Sequence, residues 1–239
     1  PVSIGRRSGE RMGKAHITSK LFAFLRELEK NNNREWFTAN KSRYEEHVKA
    51  PLLAFVGDIE APLMKVSPHV VADPSPVGGS MFRIYRDVRF SKDKRPYKTH
   101  ASLQFRHIVG KDVHAPGLYV HFEPGSCFAG GGLWRPESKV LKAIRSSIHS
   151  DPKGWKRAIG GKAFKEHFAL GGESLKRAPK GYDPEDPQIE DLKRKDFIAT
   201  WSFKQSDTTK PEFMGTLIKR FKAMTPLMKF LTDANGLEY

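Results

Sequence analysis

The sequence predicts an α+β fold: one domain with an antiparallel sheet and helices packed mainly on one of its faces. Three observations lead there. Apolar residues recur at helical spacing before residue 66 and again after residue 135. Between them the period falls to two, the signature of half-buried strands. The two kinds of run are grouped, without the strand–helix alternation that a parallel sheet needs. At 239 residues, with 38% hydrophobic content, 16 Phe and 4 Trp, the chain has the material for a full core, which excludes disorder for its bulk. Residues 1–16 are polar and read as a flexible N-terminal segment, leaving 17–239 as the domain.

Each element has a local reason. Thr18 or Ser19 can cap a first helix with Leu21, Phe24, Leu25 and Leu28 on one face, and Asn31, Asn32 and Asn33 stop it. Asn33 then caps a longer helix with a stripe from Trp36 to Leu63, which Pro51 should kink or break. Residues 66–80 hold three Pro and two Gly and read as loop. Ala101, Leu103 and Phe105 alternate with polar neighbours, as do Leu118, Val120 and Phe122, so these segments pair antiparallel across a turn at Gly110, Lys111 and Asp112. Residues 82–86 and 126–129 are the expected flanking strands. Pro136 and then Asp151-Pro152 mark two helix starts. A turn-rich stretch over 171–187 leads to a short helix at 188–195 and a strand, FIATWSF. The last helix begins near Thr209 and Pro211, is expected to break at Pro226, and ends at Asn235-Gly236.

Composition narrows the setting. One cysteine, Cys127, excludes an intramolecular disulfide and fits a reducing compartment. The absence of a long apolar run argues against a membrane span, so a soluble, cytoplasmic protein is expected. The net charge is +15, and five of those charges fall within residues 81–100. Such a charge attracts polyanions without proving that they are bound.

The stretch RIYRDVRFSKDKRPYK concentrates that charge. Strand alternation from Phe82 sends Phe82 and Ile84 into the core and leaves Arg83 and Tyr85 on the face shared with Gln104, Tyr119, His121 and Glu123. Arg86, Asp87 and Arg89 follow at the strand's end. Arginine forks suit phosphate and carboxylate, with Lys92, Lys94 and Lys98 adding charge and Asp87 and Asp93 fixing the arginines. The competing reading is a structural ion-pair lattice. RDVRFSKDKRPYK, with NNREWFTANKSRYEEHVKAP and YVHFEPG…GGGLWRPE, resembles a mainly bacterial family catalogued as domain of unknown function 2461. The resemblance implies a stand-alone, one-domain protein of about this size and points to Arg86, Asp87, Arg89, Phe90, Asp93, Lys94 and Tyr97. It implies no substrate.

Other residues carry weaker signals. Gly131 and Gly132 sit before a predicted helix start, where free backbone donors can hold an anion; a tight strand-to-helix turn explains them as well. His121 and Glu123, two apart on a strand, can form a base with its orienting carboxylate, or half of a metal site, or a plain surface pair. His100, His107, His114 and His121 recur at intervals of seven, but Gly110, Pro116 and Gly117 exclude one helix across them. Without HExxH or paired CxxC motifs no metal is expected. Ser91 to Lys94 formally matches Ser-x-x-Lys but lacks the companion motifs. Cys127 reads as a buried small hydrophobe. The basic stretch SLKRAPKGY, with Lys176 and Arg177, reads as a solvated loop.

Three functional readings result. The first is an anion pocket, for phosphate or carboxylate, in which Arg83, Arg86, Arg89, Lys94, Tyr97, Gly131 and Gly132 bind, and Asp87, His121 and Glu123 orient or move a proton. The second is a nucleic-acid-binding module on the same cluster. The third is a non-catalytic ion-pair scaffold. No cofactor is identified.

Overall fold

The computed structural model describes residues 15–110 and 115–239. Thr18 precedes α1 (Ser19–Lys30), whose Leu21, Phe24, Leu25 and Leu28 are all fully buried. The Asn33 side chain accepts the Trp36 N–H and caps α2 (Arg34–Ala39). The long second helix expected from the apolar stripe is broken. After α2 come α3 (Lys41–Tyr44), a π-helical turn (Glu45–Lys49) and α4 (Ala50–Met64). Pro51 lies in the first turn of α4, where a missing N–H is tolerated, and the wider π turn absorbs the mismatch just before it.

Among the described residues six strands form one antiparallel sheet in the order β1-β2-β3-β4-β6-β5. They are β1 (Val70–Val71), β2 (Ala101–His107), β3 (Gly117–Phe122), β4 (Cys127–Leu133), β5 (Ala169–Gly171) and β6 (Phe197–Phe203). The expected pairing of the two alternating segments is present, with Leu103 opposite Val120. The turn residues Lys111 and Asp112, like His114 and residues 1–14, lie outside the described residues.

Between β4 and β5 run α5 (Ser138–Ser150), α6 (Pro152–Gly160) and α7 (Lys162–Lys165). The Asp151 carboxylate accepts the Gly154 N–H and caps α6. Pro136 precedes α5 by two residues instead of opening it. The short α8 (Ile189–Leu192) precedes β6, and α9 (Gln205–Thr208) and α10 (Phe213–Asp233) close the chain. The break expected at Pro226 is absent: α10 runs through it. Met224, Leu227, Met228 and Leu231 are fully buried around that proline, and their packing offsets the lost hydrogen bond, worth roughly 3 kcal/mol in a helix interior.

The core lies on one side of the sheet. Phe105 meets Phe221 of α10 at 6.2 Å between ring centroids, Phe122 meets Phe213 at 6.2 Å, and Trp155 of α6 meets Phe197 edge-on at 5.9 Å. Leu103, Val120 and Ala129 share a row facing these helices. The opposite face keeps Ser102, Gln104, Tyr119, His121, Phe128 and Thr200.

Two strand expectations change. Residues 82–86 form no strand: only an isolated bridge from Tyr85 to Tyr97 lies within them, and another, Met81 to Leu103, just before. Phe82, expected in the core, is half-buried and lies near Tyr119 at 6.2 Å between rings, while Ile84 is buried as expected. Beyond Tyr85, Asp87 accepts the Arg89 N–H and Asp93 the Arg95 N–H. Such side-chain bonds two residues ahead pull the backbone into turns and compete with strand pairing. The second change is at β4, which runs on through Leu133, so Gly130, Gly131 and Gly132 lie within a central strand between β3 and β6. They do not form the turn before a helix that the sequence suggested, so helix-terminal donors are not available there.

Candidate functional site

Within the basic stretch singled out from the sequence, residues 86–96 form an arm closed at its base by hydrogen bonds from Arg86 N–H to the Pro96 carbonyl and from Lys98 N–H to the Ile84 carbonyl. Within it the charges pair locally. Arg89 donates from Nε and Nη2 to Asp87 at 3.0 and 2.7 Å. Arg86 donates to Asp93 at 2.7 Å, and Arg95 donates to the same carboxylate. Lys94 donates to the Val88 carbonyl. The hydrogen bonds from Arg89 hold the Asp87 carboxyl down to about 2, and those from Arg95 and Arg86 hold Asp93 well below the usual range. Phe90 projects from the arm almost fully exposed, at 95%. Tyr97 is buried at the base and stacks on Phe37 at 4.1 Å. Its N–H donates to Asn32 Oδ1, and Asn32 Nδ2 donates back to its carbonyl. Asn32 thereby joins the turn after α1 to the arm.

A large concavity lies elsewhere, on the face of the sheet that the helices leave bare. A cavity of about 930 Å³ is lined by Phe82, Lys98, His100, Ser102, Tyr119, Phe128 and Trp134. Gly117, Gly130 and Gly132 leave part of its floor as backbone. Gly132 has φ +124°, and a Cβ there would strike the Phe197 carbonyl, so the glycine is required by the strand pairing itself. A smaller cavity of about 380 Å³ adjoins the groove at Gln104, Arg106 and His107.

Two devices shape the rim. Trp134 is 67% exposed, with the Arg135 guanidinium 5.0 Å from its ring. Arg135 takes φ +49°, a strained conformation for a side-chain-bearing residue. Its N–H is held at 2.7 Å by the buried carboxylate of Asp196, which also accepts the Glu173 N–H. Lys98 donates to the Arg83 carbonyl at 2.8 Å and lies 5.2 Å from the centre of the Phe82 ring. Burial, then the nearby Arg83 charge, lowers its pKa.

At one end of the groove a polar chain is assembled. The Tyr119 hydroxyl lies 3.0 Å from His121 Nδ1, His121 Nε2 lies 3.1 Å from Glu123 Oε2, and Thr99 donates to Glu123 Oε1 at 3.3 Å. With Glu123 ionised, Nε2 carries the proton and Nδ1 accepts from the tyrosine. His121 is 7% exposed and sits between Phe128, stacked at 4.7 Å, and His100, at 4.4 Å. Burial, then the neighbouring His121, pushes His100 down to about 4. Burial also raises the Tyr119 hydroxyl, against a hydrogen bond from Ser102. Cys127 is buried, its thiol raised by burial and bonded to the Glu123 carbonyl.

The structure thus brings His121 and Glu123 together and sets them beside the groove. Arg86, Asp87, Arg89 and Lys94 are together in the arm, Tyr97 is at its base, and none of these five lines the groove. Arg83 touches the site through its carbonyl, and Gly131 and Gly132 contribute backbone floor. His100, Tyr119 and Trp134 were not singled out as site residues. A signal for His100 exists: extending the Ser102–His121 pairing by one more pair of positions sets it opposite Glu123. Nothing in local spacing reveals Trp134, whose position depends on the Asp196 contact 61 residues away.

The fold and groove define an α+β protein with an open-faced antiparallel sheet. The family described as "Conserved hypothetical protein (DUF2461)" matches residues 20–230, and the chain belongs to it. No curated protein and no solved structure matches the chain. Among the described residues no helix is long and apolar enough to cross a membrane.

Proposed function

We propose that the chain binds a small anionic ligand, a phosphate or carboxylate compound with a flat apolar part, in the groove on the open face. One observation carries this reading: among the described residues the groove wall includes Lys98 and Arg106 and no Asp or Glu. Lys98 gives one hydrogen bond to a carbonyl, which leaves further donors of its ammonium for a ligand. The Tyr119 and Ser102 hydroxyls supply neutral hydrogen bonds, and Phe82, Phe128 and Trp134 supply apolar cover. The anion reading thereby moves from Arg86 and Arg89, whose guanidinium groups are occupied by aspartates, to Lys98 and Arg106.

A second reading is favoured by a specific feature. Rings on an open antiparallel face, beside a basic arm tipped by Phe90, suit stacking of single-stranded nucleic acid.

Thermal-shift titrations test both readings, with inorganic phosphate, nucleotides, sugar phosphates, dicarboxylates and short oligonucleotides at two salt concentrations. A ligand at about 100 times its dissociation constant adds roughly 2.7 kcal/mol. The expected result is a shift by one class of small anion that Lys98→Met abolishes and Arg86→Ala/Arg89→Ala preserves. A shift lost in the double variant and kept in Lys98→Met returns the anion to the arm and overturns the groove assignment. Shifts from oligonucleotides alone, falling steeply with salt, establish the second reading.

A further inference from the structure

We infer that His100, His121 and Glu123 form a binding site for a divalent first-row transition-metal ion at the end of the groove. One ligand atom from each residue lies within 4.8 Å of the others. Around a tetrahedral ion, ligand atoms about 2.1 Å from the metal lie about 3.4 Å apart. The 3.1 Å between His121 Nε2 and Glu123 Oε2 is already near that spacing, and His100 has to close by at most about 1.4 Å.

The surroundings are those of a held ligand set. Phe128 on one side and His100 on the other fix the plane of His121, Tyr119 engages its second ring nitrogen, and Thr99 engages the second carboxylate oxygen of Glu123. Partners of this kind orient metal ligands and set the imidazole tautomer. A hydrogen-bonded His121–Glu123 pair alone gives no reason for a second imidazole to be packed 4.4 Å from the first. Two nitrogens and one carboxylate suit zinc, manganese, iron(II), cobalt or nickel, and disfavour calcium, magnesium and copper(I). Three protein ligands leave coordination positions open, and His100 lines the groove, so the open side faces any molecule bound there.

Metal binding requires one rearrangement, and its protons balance. Without metal, Nε2–H of His121 donates to Glu123 and Nδ1 accepts from Tyr119. With Nε2 on the ion, the imidazole proton resides on Nδ1 and donates to the Tyr119 oxygen. No net proton is gained or lost, and the Tyr119 O–H becomes free to point into the groove. The inference rests on these three side chains; the anion reading rests on Lys98, so either can fail alone.

The test is calorimetric titration of the chelator-stripped full chain with Zn²⁺, Mn²⁺, Co²⁺ and Ni²⁺ separately, with visible absorption for Co²⁺. One equivalent is expected to bind, at least about tenfold more weakly in His100→Ala and Glu123→Gln, and about 10- to 100-fold more weakly in Tyr119→Phe. His69→Ala disrupts a second imidazole pair, His69 stacked on His107 at 5.6 Å, and is expected to bind as wild type. Wild-type affinity in both His100→Ala and Glu123→Gln overturns the site, as does a loss confined to His69→Ala, or no binding at all. Metal-free melting of each variant separates a lost ligand from a lost fold; His100→Ala, at the groove wall, decides if Glu123→Gln does not fold.

Discussion

Charged side chains meet two different fates. In the arm each aspartate carries its own arginine two residues ahead, so these pairs are compensated locally and solvated while the arm as a whole stays basic; exposed pairs of this kind contribute little to global stability. Asp93→Asn is therefore expected to leave the melting midpoint close to wild type while speeding hydrogen exchange of the Arg95 amide. The pH dependence follows from the direction of the shift. Asp87 titrates at about 2 against an ordinary 3.8, so its contribution to arm order is complete above about pH 4 and is lost as pH falls through about 2. Arginine side-chain NMR signals of Arg89 should report that transition; an unchanged signal down to pH 2 would show that the pairing does not form. Lys98 lies at the other extreme, with its ammonium 5.2 Å from the centre of the Phe82 ring and its charge partly desolvated.

Elements show what the period of a sequence can and cannot convey. The alternation of β2 and β3 and the stripe of α1 were legible because each is a local pattern against one core. Residues 82–86 were read as a strand but form only an isolated bridge at Tyr85, because Asp87 and Asp93 just beyond bind backbone two residues on, a competition that alternation does not register. The glycine run was misplaced because its reason is lateral. Gly132 is demanded by the carbonyl of Phe197 in β6, and nothing within β4 announces that neighbour. Gly132→Ala should accordingly cost on the order of 3 kcal/mol or more, seen as a lower denaturation midpoint and loss of protection in β4 and β6 together. At the helix ends the local rule suffices: Asn33→Ala removes the α2 cap and is expected to cost about 1 kcal/mol in a denaturant titration.

For the whole molecule, the helices occupy one face of the sheet, so stability and the candidate site are largely separated. Trp155 seals the helical side, fully buried against Phe197 and Phe230. Trp155→Ala is expected to cost about 3–5 kcal/mol, or on the order of 10 °C in melting temperature, without altering ligand or metal affinity in protein that remains folded. The candidate site was only half legible. His121 and Glu123 declared themselves by sharing a strand face, whereas His100 needed the strand register and Trp134 needed the buried Asp196. The net charge of +15 drew attention to its densest segment, where Arg86, Arg89 and Arg95 turned out to be paired with Asp87 and Asp93.

The Asn32 clamp on Tyr97 has a consequence for exchanging parts between relatives. Residues 31–37 and the arm are separated by some sixty positions but share two hydrogen bonds and the Phe37–Tyr97 stack. Through these contacts they form one structural cassette. A chimera that imports the arm alone would receive it unmoored, while one that imports both stretches should keep the arm's geometry on a foreign sheet.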